Sequence, residues 1–107
     1  QFFPINRFET AHLFIDRLVE EYKKINPDEK LHLPQKLAEI LDTVNFLHPF
    51  REGNGRAQRE FIRLLALEKG YRLNLNPPDD KRVYQRYMQG TIESDIKTLA
   101  VLIFDLI

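Results

Sequence analysis

An all-α fold is predicted by three features of the 107-residue sequence. Five stretches carry apolar residues at helical spacing, clusters of Pro, Gly, Asn and Asp punctuate them, and no strand of any length is evident. Phe8, Ala11, Ile15, Leu18, Val19, Tyr22 and Ile25 predict an amphipathic helix over 6–25, which Asn26-Pro27-Asp28 ends. Pro34 suits the first turn of a second helix. Leu37, Ile40, Leu41, Val44 and Leu47 give that helix one core face and deliver His48 at its end.

A third helix is expected from about Asn54–Arg56 to Lys69, with Gly70 closing it in the left-handed conformation. Phe61, Ile62, Leu64, Leu65, Ala66 and Leu67 make it apolar on most sides, the mark of a central, buried helix. Tyr71 to Asn76 reads as a short extended linker and Pro77-Pro78-Asp79-Asp80 as a break followed by a cap. Val83, Tyr84, Tyr87 and Met88 carry a fourth helix, closed by Gly90. Ser94 or Asp95 caps a fifth, whose Ile96, Leu99, Ala100, Ile103 and Leu106 repeat at helical spacing. Phe2-Phe3-Pro4-Ile5 leaves room for the tail of a short β-hairpin.

One domain over residues 1–107 is the expectation for this length. Gln1 at the start and Ile107 inside an apolar helical pattern suggest truncation at one or both ends. Hydrophobic residues make up 43%, against a disordered chain. Sixteen basic residues balance sixteen acidic ones, so no global field favours nucleic acid or membranes. The absence of cysteine excludes disulfides, thiolate metal sites and a cysteine nucleophile. Neither a signal peptide nor a run long enough to span a membrane is visible, and a cytoplasmic location is expected, with delivery into a host cell as the other setting.

The chemistry concentrates in His48-Pro49-Phe50-Arg51-Glu52-Gly53-Asn54-Gly55-Arg56-Ala57-Gln58-Arg59. Gly53 and Gly55 tolerate positive φ, so the N–H groups of a loop can converge on an anion where a helix begins. Arg56 and Arg59, three residues apart, lie on one face of that helix, close to the same anion. Neutral His48 is suited to accept a proton from a hydroxyl at cellular pH. Glu52 is a hard oxygen ligand suited to Mg²⁺, which takes few protein carboxylates and keeps substrate phosphates as ligands. Asn54 offers a side-chain amide to phosphate.

This run resembles, position for position, the signature of Fic domains (filamentation induced by cAMP), HxFx[D/E]GNGRxxR. Weaker likeness extends from the 34–47 helix through the 95–106 helix. The resemblance implies a compact Fic-like helical bundle, its active-site loop between two central helices, with a β-hairpin flap at or before the N-terminus. It implies a protein adenylyltransferase moving AMP from Mg·ATP to a Ser, Thr or Tyr hydroxyl of a target protein. His48 would be the catalytic base, Glu52 the Mg²⁺ ligand, and Gly53, Asn54, Gly55, Arg56 and Arg59 the nucleotide-binding residues. Glycine at position 55 favours AMP transfer, since Doc-type relatives carry lysine there and transfer phosphate.

Each residue also has a plainer role. His48 could simply end a helix, Glu52 could favour a helix dipole, and Gly-Asn-Gly is good turn chemistry. Arg63, outside the pattern, is expected to be solvated or salt-bridged, and His12 and His32, the latter in a loop before Pro34, to be structural or exposed. Tyr84, Tyr87 and Met88 could line an adenine pocket but fit core positions better. The competing function is a silent nucleotide-binding regulatory or protein-interaction module; a nucleic-acid-binding helix is weaker still, because Glu52, Glu60 and Glu68 interrupt its arginines. Fic enzymes are commonly held off by a helix bearing (S/T)xxxE(G/N), and no such string occurs in these residues. An inhibitory helix is therefore expected from a flank or from a separate antitoxin-like partner.

Overall fold

The computed structural model describes residues 5–47 and 54–107, with side chains from residues 12–47 and 55–107. Five helices follow in order: α1 (Ile5–Lys23), α2 (His32–Leu47), α3 (Asn54–Glu68), α4 (Lys81–Ile92) and α5 (Ile96–Leu106). No strand occurs among the described residues, in agreement with the expected all-α class. The hairpin tail proposed for residues 2–5 lies almost wholly outside them.

Helix α2 packs against all four others. Leu33, Leu37, Ala38, Ile40 and Leu41 are all buried, so this helix loses most of its circumference to the core. Around it gather Leu18 and Tyr22 from α1, Ile62, Leu65 and Ala66 from α3, Val83 and Tyr87 from α4, and Leu99, Leu102 and Ile103 from α5. Leu73 and Leu75 add to this core from the extended linker, whose alternation turns both side chains inward. Helix α3 buries one face only. Its Leu64 and Leu67 remain 47% exposed, so it is less enclosed than its run of apolar residues predicts.

The helix ends explain the small departures from expectation. Helix α1 stops at Lys23 rather than residue 25, because Lys24 and Ile25 bond the carbonyls of Glu21 and Tyr22, three residues back, and tighten the last turn. Helix α2 begins at His32, two residues before Pro34, so His32 sits on the helix rather than in a loop. Pro34 is tolerated there because the first four N–H groups of a helix have no partner within it. Gly70 takes φ +88° as expected, with its N–H on Leu67 and that of Tyr71 on Ala66, a Schellman closure of α3.

Gly90 does not close α4. The helix continues to Ile92, and Ser94, at φ 51°, takes the left-handed position. Gly90 instead makes room for α5: a Cβ there would lie 2.5 Å from Leu99 Cδ2 and 2.7 Å from its Cγ. Asp80 caps α4 through the Arg82 N–H at 3.1 Å. Asp95, rather than Ser94, caps α5 through the Thr98 N–H at 3.1 Å and its hydroxyl at 2.7 Å. These bonds from Thr98 hold the Asp95 carboxyl below its ordinary range.

Polar ties join α1 to its neighbours. Lys36 of α2 pairs with Glu21 at 2.7 Å. The Tyr22 hydroxyl donates to the Leu65 carbonyl, and the Lys69 ammonium, 5.4 Å from the Tyr22 ring centre, donates to the carbonyls of Lys23 (2.8 Å) and Ile25 (2.7 Å). A lysine thus closes the C-terminus of α1, where its carbonyls and dipole favour a cation.

Gly90→Ala should therefore destabilise the fold by about 1–2 kcal/mol in urea unfolding, because the Leu99 clash outweighs the roughly 1 kcal/mol gain in helix propensity. Unchanged stability would mean that Leu99 repacks without cost. Burial also raises the phenol pKa of Tyr22 and, against the opposing pull of Arg59, that of Tyr87. Above pH ~10 the unfolded chain releases these protons while the folded chain keeps them, so stability should fall as pH rises. Tyr22→Phe should flatten that fall, as read from melting temperatures on either side of pH ~10.

Candidate active site

The segment 48–59 joins the end of α2 to the first turns of α3. His48, Glu52 and Gly53 lie outside the described residues, as does the side chain of Asn54, which opens α3. The structure places Gly55, Arg56 and Arg59. Gly55 lies in the first turn of α3, so its backbone is helical; among the described residues only Gly70 and Ser94 have positive φ. The positive φ expected for Gly55 is thus not found. Gly55 is buried in this first turn, and its carbonyl lies 3.5 Å from the Tyr87 hydroxyl.

The two motif arginines have different surroundings. Arg56 is exposed. Arg59 is half-buried, its guanidinium carbon 5.2 Å from the Tyr84 ring centre and 5.5 Å from that of Tyr87. The rings meet at 5.9 Å and 39°, so the planar cation rests on two aromatic faces. Its Nη1 is buried without a hydrogen-bond partner among the described residues. A buried guanidinium N–H is costly unless an acceptor reaches it, and an anionic acceptor meets that need best. Tyr87 is fully buried, in line with the core role expected of it, while Tyr84 and Met88 pack partly buried against the core.

A polar chain, unremarked in the sequence, runs beside this arginine. The Asn45 amide donates to the Thr91 carbonyl at 2.9 Å, and its Oδ1 accepts from Gln58 Nε2 at 3.3 Å. Gln58 Oε1 in turn accepts from the Tyr87 hydroxyl at 3.2 Å. Gln58 is 3% exposed although it is polar. Its place one turn before Ile62, on the stripe that continues to Leu65 and Ala66, is the signal that could have flagged it.

The remaining candidates behave as expected of structural residues. Arg63 is salt-bridged to Glu60 at 2.6 Å. His32 is exposed and meets Glu29 at 2.7 Å, and His12 is exposed. Among the described residues no group of three metal-ligating side chains comes together. None of their helices is long and apolar enough to cross a membrane. An open groove of about 510 Å³ lies along the far end of α3, lined by Arg63, Leu67, Tyr71, Arg72, Leu73 and Asn74, away from the motif.

Comparison with known proteins agrees with the motif. The model of the Fic/DOC family matches residues 2–66, more than half of the chain. The chain belongs to the Fic/DOC family. It is 43% identical over 60 residues to the protein adenylyltransferase VbhT of Bartonella schoenbuchensis, covering 56% of this chain and 12% of that protein. With a protein adenylyltransferase of Bartonella henselae it shares 28% over 92 residues, 86% of this chain and 17% of the relative. With the probable protein adenylyltransferase Fic of Escherichia coli it shares 34% over 74 residues, 69% and 36% respectively. The chain therefore spans about an eighth to a third of the length of these Fic relatives. No solved structure matches it significantly.

Arg59→Met should weaken binding of inorganic pyrophosphate by about 10- to 100-fold in calorimetric titration, the range for losing a charge-assisted hydrogen bond. Folding should be little affected, since the substitution removes a half-buried charge and keeps an apolar stem against the tyrosines. Undiminished binding would show that the buried N–H serves no anion.

Proposed function

We propose that this Fic-family chain carries the catalytic segment of a protein adenylyltransferase, moving AMP from Mg·ATP to a Ser, Thr or Tyr hydroxyl of a target protein. The observation that carries this reading is the pairing of a complete HxFx[D/E]GNGRxxR run with an Arg59 cation that is held on two aromatic rings and whose buried Nη1 meets no acceptor among the described residues. The names of the relatives supply the reaction class.

In this reading Asn54 and Gly55, which open α3, and Gly53, the residue before them in sequence, present backbone and amide donors to the phosphates, where the helix dipole favours negative charge. Arg56 and Arg59 hold the phosphate oxygens. His48 takes the proton of the target hydroxyl as its oxygen bonds to the α-phosphorus. The bond from that phosphorus to the bridging oxygen of the β-phosphate breaks, and pyrophosphate leaves with the electron pair. The donor chemistry fits Mg²⁺, because a single carboxylate, Glu52, beside substrate phosphates is a usual set for that ion. When bound, the metal would offset phosphate charge. Control by an inhibitory helix would come from a flanking segment or a separate partner.

His48→Ala tests the base. Transfer should fall about 10²- to 10⁴-fold while binding of Mg·ATP is kept. With nucleotide saturating, wild-type transfer of α-labelled ATP should rise with pH through the imidazole titration near ~6.5, because the neutral ring is the acceptor. Full activity in the variant, or a flat profile from pH ~5 to ~8, would contradict the role.

A further inference from the structure

The hydrogen-bonded chain beside Arg59 joins three helices near the end of α2 and the start of α3. Asn45 lies in the last turn of α2, three residues before His48. Gln58 lies in the second turn of α3, between Arg56 and Arg59 in sequence. Thr91 and Tyr87 stand one turn apart on α4, and Thr91 is locked in turn by its own hydroxyl, which donates to the carbonyls of Tyr87 and Met88 at 3.0 Å each. The bonds run from the Asn45 amide to Thr91, from Gln58 to Asn45, and from Tyr87 to Gln58, closing a ring through α4.

Apolar packing alone leaves the two helix ends free to slide, since it is non-directional. A buried polar ring is not. Gln58, Tyr87 and Thr91 are buried and Asn45 is partly so, and a shift of either helix that strands one of the buried polar atoms costs roughly 1–3 kcal/mol. No motif position includes Asn45, Gln58 or Tyr87 as a fixed residue, and none of them faces the nucleotide in the mechanism above.

We infer that Asn45, Gln58 and Tyr87 are positioning residues: their ring fixes the end of α2 against the first turns of α3, and through it the alignment of His48 with the phosphates held by Arg56 and Arg59. This rests on the adenylyltransferase reading for its catalytic consequence, but the separation of the two helix ends does not. Alignment of a base with the reacting group is sensitive to displacements of about 1 Å, whereas ground-state phosphate binding through several donors is more tolerant. The ring should therefore act on turnover more than on affinity.

Tyr87→Phe removes only the hydroxyl and keeps the ring beneath Arg59; Gln58→Met keeps the length of the side chain and removes both polar atoms. Each should lower kcat for AMP transfer by about 10- to 100-fold, with the Kd for Mg·ATP changed by no more than about twofold. The double variant should fall no further than the worse single one, as for members of one network. Because the chain has no cysteine, spin labels on Phe46→Cys and Ala57→Cys, both exposed positions, report the separation of the helix ends without competing thiols. Their distance distribution should broaden or shift in both variants. An unchanged distribution overturns the inference, whatever happens to turnover. So does a loss confined to nucleotide affinity, or a lowered melting temperature with kcat per folded molecule intact. If the wild-type chain binds Mg·ATP but transfers no AMP to any hydroxyl, the functional reading fails, and the spin-label distances alone decide the positioning role.

Discussion

Everything in this fold depends on α2 being surrounded. A helix buried along Leu33, Leu37, Ala38, Ile40 and Leu41 cannot move without disturbing all of its neighbours, because protein interiors are close-packed and transmit strain. The same helix ends at residue 47, one residue before His48. A short chain thus spends its most rigid element on the side from which the candidate base is delivered. The more exposed helices lie outside it: α1 presents Leu13 and Phe14, and α5 presents Val101 and Phe104.

Directional bonds then finish what packing begins. At one end of the bundle Lys69 and Tyr22 tie the close of α1 to the close of α3, and the Tyr71 hydroxyl reaches the Pro27 carbonyl at 2.6 Å. At the other end the amides of Asn45 and Gln58 do the same for α2 and α3 through α4. The two sets differ in kind. The first uses backbone carbonyls left over at helix ends, with partly exposed partners, and serves closure. The second uses side chains on both helices and is partly to fully buried, so it specifies register as well as contact.

Much of this was legible. Periodicity placed all five helices, and it predicted the burial of Leu37, Ile40 and Leu41 and of Leu99 and Ile103, because a stripe at positions three and four apart can only be satisfied against a core. What escaped was tertiary. Gly90 reads as a helix stop by residue type alone, yet its role depends on Leu99 from another helix. Helix α3 reads as enclosed, yet Leu64 and Leu67 remain half-exposed, since composition does not say how many neighbours a helix has. Within the site, the spacing of Arg56 and Arg59 was plain, but not their different surroundings. That Tyr84 and Tyr87 serve Arg59 depends on how α4 crosses α3, which no local pattern encodes.

The difference between the two arginines has a physical consequence. An exposed guanidinium such as that of Arg56 is screened by water and attracts a polyanion at a distance more than it fixes one. Arg59 is partly removed from water, so the effective dielectric around it is lower and its pull on a nearby anion is stronger. The tyrosine faces make that removal tolerable, because their quadrupoles set negative charge beneath the guanidinium. An acidic partner in their place would have neutralised the cation and closed the site to anions. Aromatic support under an arginine whose Nη1 meets no acceptor among the described residues is therefore an arrangement in which a cation is both stable in the fold and available to a ligand.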